Sequence, residues 1–266
     1  MMADEIKLII NNAIGLVKFN RPDSLNSMNE NFGECLIKIS QDIKANNSLR
    51  CIVFEGEGDH FCAGGDIKMF GQLLSLSPEK RRSHFQRFLS QLHMAILNFI
   101  NLPIPIVAKV RGAAAGFGLS LVLCADIALA SSDAKFTLAY NHIGLSPDGG
   151  STFFLPRLLG IKKAKELAFL GNKFDSEEAL QFGIINRVFS SESFEDESDK
   201  IINQISNGPT KALGLAKRLI NQSLYNNPVN QLESETEFFS LSATTYDFEE
   251  GVRSFLEKRP PKFKGN

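Results

Sequence analysis

The chain has 266 residues, 43% hydrophobic and 22% charged, enough apolar material for one large core plus an appendage. Its formal net charge of -1 offers no general footprint for nucleic acid or an anionic membrane, although a local basic patch is still compatible with phosphates. No apolar run reaches the roughly 18 residues of a membrane span, and the N-terminal MMADEIKLII carries charges but no cleavage signature. The expectation is a cytosolic protein.

In chain order, residues 6 to 19 read as two short strands around Asn11 and Asn12, and RPDSLN (Arg21 to Asn26) then breaks the pattern. Phe32, Cys35, Leu36 and Ile39 recur at helical spacing, and CIVFEG (Cys51 to Gly56) reads as a buried strand. FCAGGDIKMF (Phe61 to Phe70) follows. A long helix is predicted from about Pro78 to Ile100, stopped by Pro103 and Pro105, before the strand PIVAKV. The block VRGAAAGFGLSLVLCADI (Val110 to Ile127) leads through small residues into a helix from about Phe117, and DIALAS and the segment around Phe136 supply further strands.

After Gly150 the pattern turns helical almost to the end, punctuated by Pro209 and Pro228. The order predicts an α/β core of strand-strand-helix units over residues 1–200 and a helical C-terminal region over 201–266. Apolar positions in that tail, among them Phe238, Phe239, Phe248, Val252, Phe255 and Leu256, either fold over the core or pack on a neighbouring subunit. Cys35, Cys51, Cys62 and Cys124 stand singly in apolar surroundings, without the close pairs of a zinc site, and read as reduced buried thiols.

Two segments carry the chemistry. FCAGGDIKMF and VRGAAAGFGLSLVLCADI each join an apolar strand through small residues to a helix start. Small residues let a ligand carbonyl approach the main chain, and amides that open a helix have no intrahelical acceptor and carry its positive dipole end. Two such turns aimed at one point would form an oxyanion hole. Beside the first, Asp66 reads as a helix N-cap; Asp126 reads as a residue that secures a turn.

These blocks, with FNRPDSLNSMN, GLSPDGGSTFFLPRLLG (Gly144 to Gly160) and EGVRSFLEKRPPKFKG, resemble the crotonase, or enoyl-CoA hydratase/isomerase, superfamily over nearly the whole chain. The resemblance implies a spiral of strand-strand-helix turns with a C-terminal helical region, acyl-CoA thioester ligands and homotrimers or hexamers. It also implies that the backbone N–H groups of Ala63 and Phe117 hold the thioester oxygen. Each such donor is worth roughly 3 kcal/mol where an enolate forms.

Hydratases of this family present two glutamates to the substrate; Ser120 and Tyr140 stand at the corresponding positions here. Neither is a base near neutral pH unless strongly perturbed. Asp148, in SPDGGS, occupies the loop in which Asp-dependent isomerases of the superfamily, including ring-modifying ones, carry their catalytic acid. Hydration asks for two acids, whereas moving a double bond needs one group that lifts a proton and returns it two carbons along. The leading expectation is an acyl-CoA isomerase with Asp148 as shuttle, its pKa raised by an apolar lining. The alternatives are an enoyl-CoA hydratase holding a water with Ser120 or Tyr140, a noncatalytic acyl-CoA scaffold, and, more distantly, a dehalogenase-like substitution.

For the coenzyme A portion, the resemblance implies contacts from Ser24, Leu25 and Asn26 and from Gly64, Gly65, Asp66, Ile67 and Lys68. It adds Gly116, Ser120 and Tyr140 near the reacting carbons, and Phe255 and Lys258 from the tail. Arg21 and the two lysines are phosphate candidates, and solvated surface cations are the competing reading of each. His142 reads first as a structural residue. No metal, nicotinamide or flavin motif is present in the sequence, and a thioester supplies its own electron sink, so no cofactor is expected.

Overall fold

The structure, a computed structural model, describes residues 5–266. It begins with a hairpin, β1 (Ile6–Asn11) and β2 (Ile14–Phe19), paired antiparallel. Asn12 and Ala13 both take positive φ, 46° and 68°, the sense that matches a two-residue hairpin turn to strand twist. A 3-10 turn at Pro22–Ser24 leads to α1 (Glu30–Ala45), whose first turn is capped by the Asn29 side chain. Then come β3 (Cys51–Gly56), α2 (Ile67–Leu73), α3 (Pro78–Ile100), β4 (Ile106–Val110), β5 (Ala113–Ala115), α4 (Phe117–Cys124), β6 (Ile127–Ser131) and β7 (Lys135–Thr137).

A six-stranded sheet runs in the order β1-β2-β3-β4-β6, closed at its far edge by β9 (Arg187–Phe189), and is parallel from β2 onward. Alternation sends its side chains to two cores. Ile52, Phe54, Ile106, Ala108, Ala128 and Ala130 face the main core with α1 and α3, while Cys51, Val53, Val107 and Leu129 face a smaller one under α8 (Phe194–Ser206). Both faces are buried, so β3 and β4 read as mostly apolar runs; the exception inside β4 is Lys109, which pairs with Glu195 and Asp199. Four phenylalanines anchor the main core: Phe19 packs on Phe32, Phe54 and Phe61 with ring centroids 5.6, 6.2 and 5.3 Å apart.

Each turn of the spiral adds one strand to the large sheet and one rung to a second, smaller stack. There β5 pairs with β7, and β7 with β8 (Phe174–Asp175). The glycine-rich segment joins the same stack through single bridges, Cys62 to Ala114 and Met28 to Gly65. The two turns expected to work together are therefore neighbouring rungs.

The second half departs from the expected run of helices. The helices α5 (Ser151–Leu159), α6 (Ile161–Leu170) and α7 (Ser176–Gln181) are interrupted by β8 and β9, strands of two and three residues, too short to show a period of two. The expected boundary at residue 200 falls inside α8, which covers the large sheet. Beyond it, α9 (Thr210–Ser223), α10 (Pro228–Ser242) and α11 (Tyr246–Leu256) complete the chain. Phe238 is buried, while Phe239, Phe248, Val252, Phe255 and Leu256 are exposed. No described helix is long and apolar enough to cross a membrane.

The last ten residues are tied back to α11 by its carboxylates. Glu250 accepts from Arg259 Nη1 and Nη2 at 2.6 and 2.9 Å and from the Lys262 amide at 2.8 Å, and Asp247 accepts from the amides of Lys264 and Gly265. Arg259, and then the Lys262 amide, hold the Glu250 carboxyl down at about 2. A depressed carboxylate stabilises the fold above its unfolded pKa and loses that contribution as pH falls through its folded value. Glu250→Gln should therefore melt below the wild type at pH 6. The gap should close as pH approaches about 2, as followed by circular dichroism.

Candidate active site

A cavity of about 1100 Å³ opens between α2 and α3 on one side and the segment from Leu138 to α5 on the other. Phe70, Phe85, Phe88, Leu89, Phe153 and Phe154 make most of its wall apolar. Among the described residues, the titratable side chains lining it are His93, Tyr140, His142, Asp148 and Tyr225, and Asp148 is the one acid.

Two backbone segments meet at its polar end. Cys62 N–H donates to Ala113 O at 3.0 Å and Ala115 N–H to Cys62 O at 2.9 Å. Contact is so close that a Cβ on Gly118 would lie 2.0 Å from Cys62 O, and one on Gly64, at φ +90°, 2.8 Å from Ala115 O. Only glycine permits that approach. Phe117 opens α4, so its N–H has no intrahelical acceptor.

The first amide requires a correction. Ala63 N–H, expected to bind the ligand oxygen, donates to Leu25 O at 3.0 Å. The unspent amide is two residues on. Gly64 O accepts from Met28 and Asp66 N–H donates to Met28, at 2.7 and 2.8 Å, which turns the Gly65 N–H to the opposite edge. Gly65 lines the cavity together with Gly64, Gly116 and Phe117, and its N–H has no protein partner among the described residues.

Asp148 sits beside this end on a turn whose next residues, Gly149 and Gly150, take φ of +61° and +84° before α5 begins. Burial pushes its carboxyl above the usual range, opposed by a short hydrogen bond from Tyr140 Oη and by nearby His93. Burial and the Asp148 carboxylate push the Tyr140 phenol up, so it stays a donor. Ser120, expected to touch substrate, is fully buried instead. Its Oγ donates to Asp148 O at 3.0 Å and lies 3.5 Å from Tyr140 Oη, bracing α4 against the Asp148 turn. Ser151 Oγ holds the same carbonyl at 2.9 Å.

Other expected contacts prove structural. Asn26 is fully buried; its Oδ1 accepts from Arg21 N–H at 2.8 Å, and its Nδ2 donates to Glu57 O and His60 O. It latches the RPDSLN turn. Arg21 is committed to Asp66 at 2.9 Å, to Ser27 O and to Glu5, which leaves it no role on a phosphate. Asp66 caps α2 through the amides of Lys68 and Met69. Asp126 accepts from Ile106 N–H and pairs with Lys217, both at 2.8 Å.

Ser24 Oγ turns back onto Arg21 O, and Leu25 is exposed beside it. Ile67 lines the cavity, whereas Lys68, Phe255 and Lys258 are exposed side chains outside its lining. His142 lines it but is exposed. Cys51, Cys62 and Cys124 are buried free thiols; Cys35 is half-buried. Burial pushes the Cys62 thiol up to about 12, which makes it inert despite its place between the two turns. The residue that sequence reasoning missed is His93. It lies on the cavity face of α3 in step with Phe85, Leu89, Ile96 and Ile100, and its signal was one polar position in an apolar stripe.

Unspent main-chain amides at the polar end of an apolar cavity, with one acid beside them, suit an enzyme that gathers negative charge on a carbonyl oxygen. The two-stack α/β spiral that carries them is the crotonase fold. The chain belongs to the enoyl-CoA hydratase/isomerase family, whose sequence model matches residues 9–266. It is 35% identical to 1,2-epoxyphenylacetyl-CoA isomerase of Escherichia coli K12, over 92% of this chain and 93% of that one. It is 32% identical to a probable enoyl-CoA hydratase of Rhodobacter capsulatus, with 98% of each covered. The crystal structure of an enoyl-CoA hydratase from Polaromonas superposes with a TM-score of 0.90 at 30% identity, covering 97% of this chain and 99% of that one.

The fit around Gly149 generates a prediction. A Cβ there would lie 2.7 Å from Ser120 Cβ and 2.8 Å from Phe117 Cδ2, in a backbone conformation that disfavours side chains. Gly149→Ala should lower stability by roughly 1–3 kcal/mol and displace Asp148. The checks are urea denaturation and turnover.

Proposed function

We propose that the protein is an acyl-CoA isomerase that moves a carbon-carbon double bond. The thioester oxygen is bound by the amides of Gly65 and Phe117. Asp148 takes a proton from the carbon beside the thioester, charge passes to the oxygen, and the same carboxyl returns the proton two carbons along. The supporting observation is that Asp148 is the one acid lining the cavity among the described residues, and that Ser120 and Tyr140, which stand where hydratases carry glutamates, are both engaged in holding it. Ser120 Oγ is committed to the Asp148 carbonyl and Tyr140 Oη to its carboxylate, so neither is free to hold and activate a water. The relationship to an isomerase of epoxyphenylacetyl-CoA supports the same reading.

The thioester is the electron sink, so the reading invokes no cofactor. It extends to an assembly of identical chains, supported by the exposed apolar positions of α10 and α11, and to a cytosolic location, supported by four free cysteines. Velocity sedimentation tests the assembly.

Catalysis is tested by adding a 3-enoyl-CoA in deuterated water. Exchange at the α carbon and growth of the conjugated 2-enoyl absorbance are expected. Loss of that absorbance from crotonyl-CoA would identify a hydratase, and binding without exchange a scaffold. Asp148→Asn should cut turnover by about 100-fold or more with thioester affinity nearly intact; turnover within tenfold of wild type would reject the assignment.

The working form of Asp148 is the carboxylate, so kcat/KM should fall as pH drops through a pKa raised by burial. Tyr140→Phe removes the donor that opposes that rise. Its acid limb should therefore move to higher pH in a pH-rate profile.

A further inference from the structure

The cavity face of α3 is apolar at Phe85, Leu89, Ile96 and Ile100 and interrupted by His93. The imidazole is exposed to the cavity, and its Nε2 accepts the N–H of Gly149 at 3.4 Å. Gly149 immediately follows Asp148, is buried, and presses on Phe117 and Ser120. One bond thus ties α3 to the turn that carries the acid, and no other described group accepts this amide. A ring nitrogen accepts through a lone pair that it has only while unprotonated. Once Nε2 carries a proton, two N–H groups face each other and the tie is lost.

We propose that His93 is a positioning residue for the proton shuttle: neutral, it holds the Asp-Gly-Gly turn against α3; protonated, it releases that turn and switches the enzyme off in acid. The inference rests on Asp148 being the shuttle.

The surroundings leave few competing groups. Tyr140, His142 and Asp148 face the cavity from the segment opposite α3, and Tyr225 from just beyond α9. The lining residues of α2, α4 and α5 include no titratable side chain. A positive charge on His93 also favours the ionised form of Asp148, so protonation releases the turn while leaving the carboxyl charged. The acid loss of activity then belongs to both groups and not to Asp148 alone.

The test compares His93→Gln, which keeps an acceptor but cannot titrate, with His93→Ala, which keeps neither property. In 15N-labelled wild-type protein the Gly149 amide resonance should move with pH as His93 titrates, and in His93→Gln that movement should vanish. His93→Ala should lower kcat about tenfold with KM for a 3-enoyl-CoA within about twofold, and His93→Gln should recover most of kcat. Because glutamine keeps the acceptor and takes up no proton, the acid limb of His93→Gln should lose the His93 contribution and shift to lower pH.

A Gly149 amide that titrates identically in wild type and His93→Gln would overturn the inference. So would a His93→Ala enzyme with wild-type kcat and pH profile. Absence of α-carbon exchange in the wild type would instead defeat the isomerase reading, and the amide titration would still report on the tie.

Discussion

The site depends on how closely two backbones are allowed to approach. Residues 62–65 and 113–118 lie against each other as adjacent rungs, with Gly118 over Cys62 O and Gly64 over Ala115 O at separations that a side chain would forbid. That contact sets the start of α4, and with it the Phe117 amide, in a fixed relation to the first turn. One hydrogen bond from Met28 N–H and one to Met28 O then fix the register of that first turn and leave Gly65 as its open donor. A pair of amides prearranged in this way costs no reorganisation when charge arrives.

The same frame makes Asp148 costly to keep. Its carboxyl is taken from water into an apolar wall, and burial alone would favour the neutral acid. Tyr140 donates to it, Ser120 and Ser151 hold its carbonyl, and Gly149 reaches back to His93. These four contacts come from α3, α4, α5 and the 3-10 turn at Tyr140–Ile143. The acid is therefore placed by most of the elements around it, while three nearby hydroxyls, those of Tyr140, Ser120 and Ser151, are used in placing it. That division of labour is what the proposed single-group proton transfer would use.

Much of this was legible in the sequence where the signal is local. The strands β3 and β4 announced themselves as mostly apolar runs because both of their faces are covered. The N-cap roles of Asp66 and the turn role of Asp126 followed from residue type and place. What was not legible depends on partners distant in the chain. Ala63 and Gly65 look alike as donors until Leu25 and Met28 are laid beside them, since register is a long-range property. β8 and β9 exist through pairing with β7 and β6, having too few residues for a pattern. Asn26 suggested a pocket residue but spends its amide on the backbone of residues 21, 57 and 60.

His93 shows why an absent signal can matter as much as a present one. On an amphipathic helix a histidine among apolar neighbours is unremarkable, and spacing alone gives it no partner. Its relevance comes from the spiral, which brings the Asp148 turn back over α3, Gly149 lying 56 residues after His93. A glycine whose amide must be satisfied there, and cannot be satisfied by its own helix, needs an acceptor from another element. Most acceptors of that kind are carbonyls, whose bonds are indifferent to pH between 4 and 8. An imidazole in the same place makes the geometry of the turn depend on a proton, one residue away from the acid.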